Sequence, residues 1–176
     1  MVELVSGAEF DRLFRSFRNT AFRLETQGVY REPIEDEPLR RFLNGEPPDD
    51  EWLAPWTDNV RIATSEGRRF QRVRVLTEPL TDYLRFEMDL ALRANLPAGE
   101  QIRSLSISAA AALGLPLGTD FWMFDDDQVG VMHFGERGML GLEMITDPAE
   151  IEQYRRWRDQ AWNDAAPAEE WAVLVQ

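Results

Sequence analysis

Phe70-Gln71-Arg72-Val73-Arg74-Val75-Leu76-Thr77 is the stretch on which the fold turns. Apolar and charged residues alternate with the period of two that a strand imposes. Val73 and Val75 therefore share one face, and Arg72 and Arg74 share the other. Pro79 ends the strand, because proline has no N–H to give to a ladder. Thr81 is placed to cap a helix whose inner face is Leu84, Met88 and Ala91. Pro97-Ala98-Gly99 turns the chain, and Ile102 to Ile107 predicts a second strand. A strand, helix, strand unit of this kind makes the centre of an α/β sheet.

Working outward, Ala109 to Leu113 reads as a short helix closed by Gly114. Three strands follow in close succession: Asp120 to Asp125, Gln128 to Phe134, and Met139 to Thr146. The turns between them hold Asp126-Asp127 and Gly135-Glu136-Arg137-Gly138, which predicts an antiparallel meander. Asp147 and Pro148 open a last helix as cap and first residue. Its stripe is Ile151, Tyr154, Ala161 and Ala165, with Trp157 and Trp162 on the flanks. The tail from Glu169 to Gln176 alternates at Trp171, Val173 and Val175 and predicts an edge strand.

Upstream, Ser6 and Glu9 fit a capping box. The helix they open sets Phe10, Leu13, Phe14 and Phe17 on one face. Thr20 to Thr26 reads as a half-buried strand, Phe22 and Leu24 inward, Arg23 and Glu25 outward. Pro38 starts a short helix ending at Gly45, and Pro55 begins another with Trp56, Val60 and Ala63 inside. The expected fold class is α/β (α+β): a mixed sheet with a C-terminal antiparallel meander, covered by helices. Residues 1–176 form a single domain. Within it, 1–48 is expected as an N-terminal helix-strand-helix lobe and 49–176 as the main sheet.

The chain has 176 residues, 44% of them hydrophobic, values of a globular domain. No apolar run reaches the ~20 residues of a membrane helix. Glu3 and Glu9 and the lack of a basic n-region argue against a signal peptide, so the expected location is cytoplasmic. There is no cysteine, and all 19 basic residues are arginine. Thiolate metal sites, cysteine nucleophiles and lysine Schiff bases are thereby excluded. A formal charge of −13 repels nucleic acid and favours a basic partner or cationic ligand. No glycine-rich phosphate loop and no His-Glu-x-x-His motif occurs. No cofactor, bound metal or membrane contact is expected.

Three groups of residues are candidates for function. The sole histidine, His133, with Asp120 or Asp125, would supply the base and acid of a hydrolase. Arg68, Arg72 and Arg74 form a basic group suited to a phosphate or carboxylate, or else paired internally with Glu66, Glu78 or Glu87. Trp52, Trp56, Trp157 and Arg158 belong to a surplus of tryptophan, six in the chain, of the type enriched at interfaces.

Several strings together resemble an actinobacterial domain-of-unknown-function family. They are Thr20-Ala21-Phe22-Arg23-Leu24-Glu25, Trp52-Leu53-Ala54-Pro55-Trp56, Arg72-Val73-Arg74-Val75, Pro79-Leu80-Thr81-Asp82-Tyr83-Leu84-Arg85-Phe86-Glu87, Asp120-Phe121-Trp122-Met123-Phe124-Asp125-Asp126 and Tyr154-Arg155-Arg156-Trp157-Arg158-Asp159-Gln160-Ala161-Trp162. Members of that family are often encoded beside helix-turn-helix regulators, which implies a part in a transcriptional switch. The order from Arg68 to Thr146 is also similar to one half of a phospholipase D-like domain. That superfamily uses a His-x-Lys motif; here Phe134 and Gly135 follow His133, and no lysine exists.

The leading expectation is a non-enzymatic regulatory protein that binds a protein partner, a helix-turn-helix transcriptional regulator, without touching nucleic acid itself. A homodimer is compatible with it. A sensor for a small anionic ligand and a hydrolase built on His133 are the alternatives.

Overall fold

The computed structural model describes residues 2–173. The strand quoted above is β2, Arg69–Leu76, and it lies near the middle of a seven-stranded mixed sheet. It pairs in parallel with β1, Thr20–Glu25, on one side and with β3, Gln101–Ser106, on the other. The expected meander is β4, Phe121–Phe124, β5, Gln128–Gly135, and β6, Gly138–Ile145. It runs antiparallel and joins the sheet through β4 against β1. The short strand β7, Ala166–Pro167, pairs with β3, giving the order β6-β5-β4-β1-β2-β3-β7.

The segment 1–48 makes no lobe of its own. β1 is an interior strand, bonded on both edges, so the N-terminal segment is woven into the main sheet. The tail also differs from expectation. Ala168–Val173 is a 3-10 helix, and residues 174–176 lie outside the described residues. Trp171 is buried and its indole N–H donates to Ser104 Oγ at 2.7 Å, which winds the tail under the sheet instead of extending it.

Helices α1, Gly7–Ser16, α2, Asp36–Leu43, α3, Ala54–Ser65, and α4, Asp82–Leu90, precede the end of the parallel trio. A π-helical turn, Ala91–Asn95, carries α4 on into α5, Leu96–Ala98. Gly99 stops it at φ 108, and a Cβ there would lie 2.6 Å from Thr64 Oγ1, so α3 and α5 approach as closely as glycine allows. α6, Ile107–Ala112, and α7, Pro148–Asp164, follow. Thr81 and Asp147 cap α4 and α7 through their side chains as expected, whereas Ser6 sits at the N-cap of α1 without a capping hydrogen bond.

The two sheet faces bury different chemistry. On one, Phe22, Leu24, Val73, Val75, Phe121 and Met123 pack against α6 and α7. On the other, apolar clusters form at either end. Phe14 of α1 and Val60 of α3 meet Phe70 and Trp122. Phe86 and Leu90 of α4 meet Tyr30 and Tyr83. Between these clusters the second face is polar.

Candidate functional site

Arg23 and Glu25 of β1 and Arg72 and Arg74 of β2 project from this second face, because side chains alternate along each strand. Parallel pairing sets Arg23 beside Arg72 and Glu25 beside Arg74. Two like charges side by side in register repel. Glu25 removes the conflict: its carboxylate lies 3.1 Å from Arg23, 2.7 Å from Arg72 and 2.6 Å from Arg74. Burial favours the protonated form of Glu25, but the three guanidiniums outweigh it and hold the group below the usual carboxylate range.

Further carboxylates complete the network. Glu100 follows the glycine stop of α5 and sits 2.7 Å from Arg72, while Glu87 of α4 takes Arg74 at 2.6 Å. Glu100 also accepts from the indole of Trp56 at 3.0 Å and from Asn95 Nδ2 at 2.8 Å. Asn95 ends the π-helical turn, a distortion found often at functional sites. Asp120, at the mouth of β4, accepts from the N–H and hydroxyl of Thr26 at 2.8 and 2.7 Å and from the hydroxyl of Tyr30. It lies 4.0 Å from Arg23. Glu25, Arg72, Arg74 and Asp120 are 2%, 7%, 3% and 1% exposed, so this is a buried ionic network and not a solvated face.

Above it lies a cavity of about 240 Å³. The network residues Arg23, Glu25, Arg72 and Glu87 form its charged floor. Its walls are aromatic: Trp56 and Trp122 at one end, with ring centres 5.9 Å apart, and Tyr30 and Tyr83 at the other, also 5.9 Å apart. The chain between β1 and α3 supplies Tyr30, Glu32, Glu35, Trp52 and Leu53 as one wall. Glu35 accepts from the hydroxyl of Tyr83 at 2.6 Å. Its burial, together with the charges of Glu87, Glu32 and Glu25, pushes its carboxyl up to about 8. Burial likewise raises Asp120, against the pull of Arg23.

The structure brings together Arg72, Trp52 and Trp56 at the cavity, with Arg74 and Asp120 in the network beside it. It sends the other candidates elsewhere. Arg68 pairs with Glu66 and lies over the ring of Phe17. Trp157 donates to the carbonyl of Gly114 at 3.1 Å, and Arg158 pairs with Asp126 and Asp159; both sit on α7, across the sheet. Asp125, at φ 55, accepts from the backbone N–H groups of Arg18, Asn19 and Thr20, which fixes the start of β1. His133 pairs with Glu143 at 2.8 Å. Strand alternation turns its ring away from the face that carries Asp120 and Met132, so His133, Asp120 and Asp125 are not one constellation. Among the described residues no group of three or more histidine, aspartate or glutamate side chains is disposed to hold a metal ion. No described helix is long and apolar enough to cross a membrane.

Arg23, Glu25, Glu100, Tyr30, Tyr83, Glu35 and Asn95 were not candidates on sequence, whereas Glu87, one of the internal partners expected for the arginine group, does pair with Arg74. A signal existed for the first two. Central strands of a parallel unit are buried on both faces, so charges alternating on adjacent strands must find one another inside.

Fold and cavity together define a mixed α/β domain with a polar, aromatic-walled pocket on one sheet face. The chain belongs to the family described as a domain of unknown function, DUF6879, whose model matches residues 8–173. No functionally curated protein matches it. Among solved structures it is similar to TrmBL2, an archaeal chromatin protein described as showing a novel mode of DNA binding. The TM-score is 0.47 at 12% identity, covering 93% of this chain and 52% of that one. The chain thus spans about half the length of that protein.

Proposed function

We propose that this chain is a non-enzymatic regulatory module that binds a small molecule in the cavity beside Arg72 and Glu25 and reports its presence to a protein partner. The observation that carries the reading is the cavity itself. A pocket of about 240 Å³ with aromatic walls and a few convergent polar groups has the composition of a ligand site. A buried ionic network is a poor way to gain stability, since desolvation offsets most of its attraction. Its presence in the middle of the sheet is better explained by recognition.

The partner half of the reading rests on the wall between β1 and α3. Val29, Ile34 and Leu43, 51%, 60% and 53% exposed, all lie in the segment that supplies Tyr30, Glu32 and Glu35 to the cavity. A protein that contacted these exposed apolar residues would feel ligand entry. The family resemblance points to a helix-turn-helix regulator as that protein, in an actinobacterial cell. The parallel trio followed by a meander also agrees with the likeness to half a phospholipase D-like domain, retained without its His-x-Lys chemistry.

A thermal-shift screen over amines, carboxylates, phosphorylated metabolites and neutral heterocycles tests the ligand half. The expected outcome is a stabilising class of compounds that also changes tryptophan fluorescence; a flat response across all classes overturns it. Co-purification from native lysate tests the partner half, with Ile34→Asp as control. Capture of a DNA-binding regulator that Ile34→Asp abolishes is expected, and capture that Ile34→Asp leaves intact counts against this surface.

A further inference from the structure

The arginines of the cavity are already spent. All three guanidinium nitrogens of Arg72 lie against carboxylates, Nε and Nη2 on Glu100 and Nη1 on Glu25, and Arg23 lies against Glu25 with its guanidinium over the rings of Tyr30 and Trp122. An anion entering the pocket would have to compete with these partners. Of the four carboxylates that line the cavity, Glu25 and Glu87 are likewise engaged, Glu25 by Arg23, Arg72 and Arg74 and Glu87 by Arg74. Glu32 and Glu35 are in the opposite position: neither pairs with a guanidinium among the described residues. Glu35 accepts only from an uncharged tyrosine hydroxyl and Glu32 from the backbone N–H of Met139 at 2.9 Å. These carboxylates stand at the tyrosine end, where π faces attract a cation as well. Two donors show the reverse demand: Arg23 Nε on the floor and Trp52 Nε1, packed in the cluster of Tyr30 and Tyr83, are buried without an acceptor among the described residues.

Resting on the reading of this pocket as a ligand site, we infer that its ligand is a small organic cation: a protonated amine at the Glu32 and Glu35 end, with an apolar or aromatic body and a neutral hydrogen-bond acceptor toward Arg23. The elevated Glu35 supports this choice. Its own burial and the like charges on Glu87, Glu32 and Glu25, offset by little more than the neutral hydroxyl of Tyr83, keep it protonated near neutrality. A cation beside it restores ionisation, so binding releases a proton below about pH 8 and strengthens as pH rises toward that value.

Calorimetry with three molecules of one shape separates charge from fit: tyramine, 4-hydroxyphenylacetate and 4-ethylphenol. Tyramine is expected to bind at least tenfold more tightly than either of the others. Glu35→Gln, which keeps the acceptor for Tyr83, is expected to weaken tyramine about tenfold and leave 4-ethylphenol unchanged. If that variant fails to fold, Glu32→Gln reads out the same end of the pocket. Equal or tighter binding of the acid or the phenol overturns the inference about charge and leaves the ligand-site reading standing. Failure of all three at millimolar concentration overturns both.

Discussion

The two faces of this sheet carry the same strands and nearly the same burial, yet they are built from opposite materials. Facing α6 and α7, the inward residues of β1, β2 and β4 are Phe22, Leu24, Val73, Val75, Phe121 and Met123. Facing α3 and α4, the alternate residues of the same strands include Arg23, Glu25, Arg72 and Arg74. The first face gains free energy by removing apolar surface from water, roughly 25 cal/mol per Å². The second desolvates charges and recovers much of that cost through near-ideal pairing. One face can therefore hold the fold, and the other is free to keep a pocket.

The sharpest way to break this contrast is to damage the two faces at the same depth of the same strand. Phe22→Ala, on the apolar face, leaves a large cavity and is expected to cost about 3–5 kcal/mol in chemical denaturation. Glu25→Gln, on the polar face of the same strand, removes the carboxylate shared by three guanidiniums and is expected to cost a similar ~3–5 kcal/mol at neutral pH. The difference lies in acid. Glu25 has a depressed carboxyl in the fold, so its contribution is present above the ordinary glutamate value and is lost as pH falls from there through the lower folded one. The gap between Glu25→Gln and the parent should therefore narrow on acidification, while the deficit of Phe22→Ala persists. A deficit of Glu25→Gln that is constant down to the acid transition would mean that the network is not held by this carboxylate.

The apolar face was legible in sequence and the polar face was not. Alternation at Phe70 to Thr77 and at Thr20 to Thr26 located β1 and β2, and turn residues located the meander. In each case the signal was local: a period of two, a proline, a pair of aspartates. What alternation cannot say is whether the polar side meets water. Arg23 and Glu25 read as the wet side of a half-buried strand because that is the commoner outcome for an edge or antiparallel strand. Their fate was decided by partners far off in sequence: Arg72 and Arg74 of β2 meet Glu25, Asp120 beside β4 lies near Arg23, and only the assembled sheet brings them together. The same holds for the separation of His133 from Asp120. Both lie on neighbouring strands, and one step of register places them on opposite faces. Trp157 and Arg158 shared the composition of an interface with Trp52 and Trp56, but a helix on the other side of the sheet carries them.

A smaller effect sharpens the contrast from within the polar face. Glu35 titrates at about 8 in the fold, above its unfolded value. A group raised in this way contributes stability that is fully present below the unfolded value and is lost as pH rises through the folded one. Glu35→Gln carries no such titration. Its melting temperature relative to the parent should rise steadily between pH 5 and pH 9, a change in relative stability on the order of 1–3 kcal/mol, smaller where water reaches the side chain. Parallel melting curves across that range would show that the tyrosine end of the pocket is better solvated than its geometry implies.

The smallest effect belongs to Asp147, and it tests whether the two faces are independent. Its side chain accepts from the backbone N–H groups of Ala149 at 2.8 Å and Glu150 at 3.1 Å, satisfying donors that α7 would otherwise leave free. Asp147→Ala should cost about 1 kcal/mol. Because α7 packs on the apolar face, the loss should appear in the unfolding midpoint and leave tyramine affinity unchanged, sites with no shared partner being close to additive. Weakened binding in this variant would mean that the strands transmit strain from one face to the other. The pocket would then depend on the packing of Ala161 and Ala165 beneath Phe22 and Val73, not only on the charges and rings that line it.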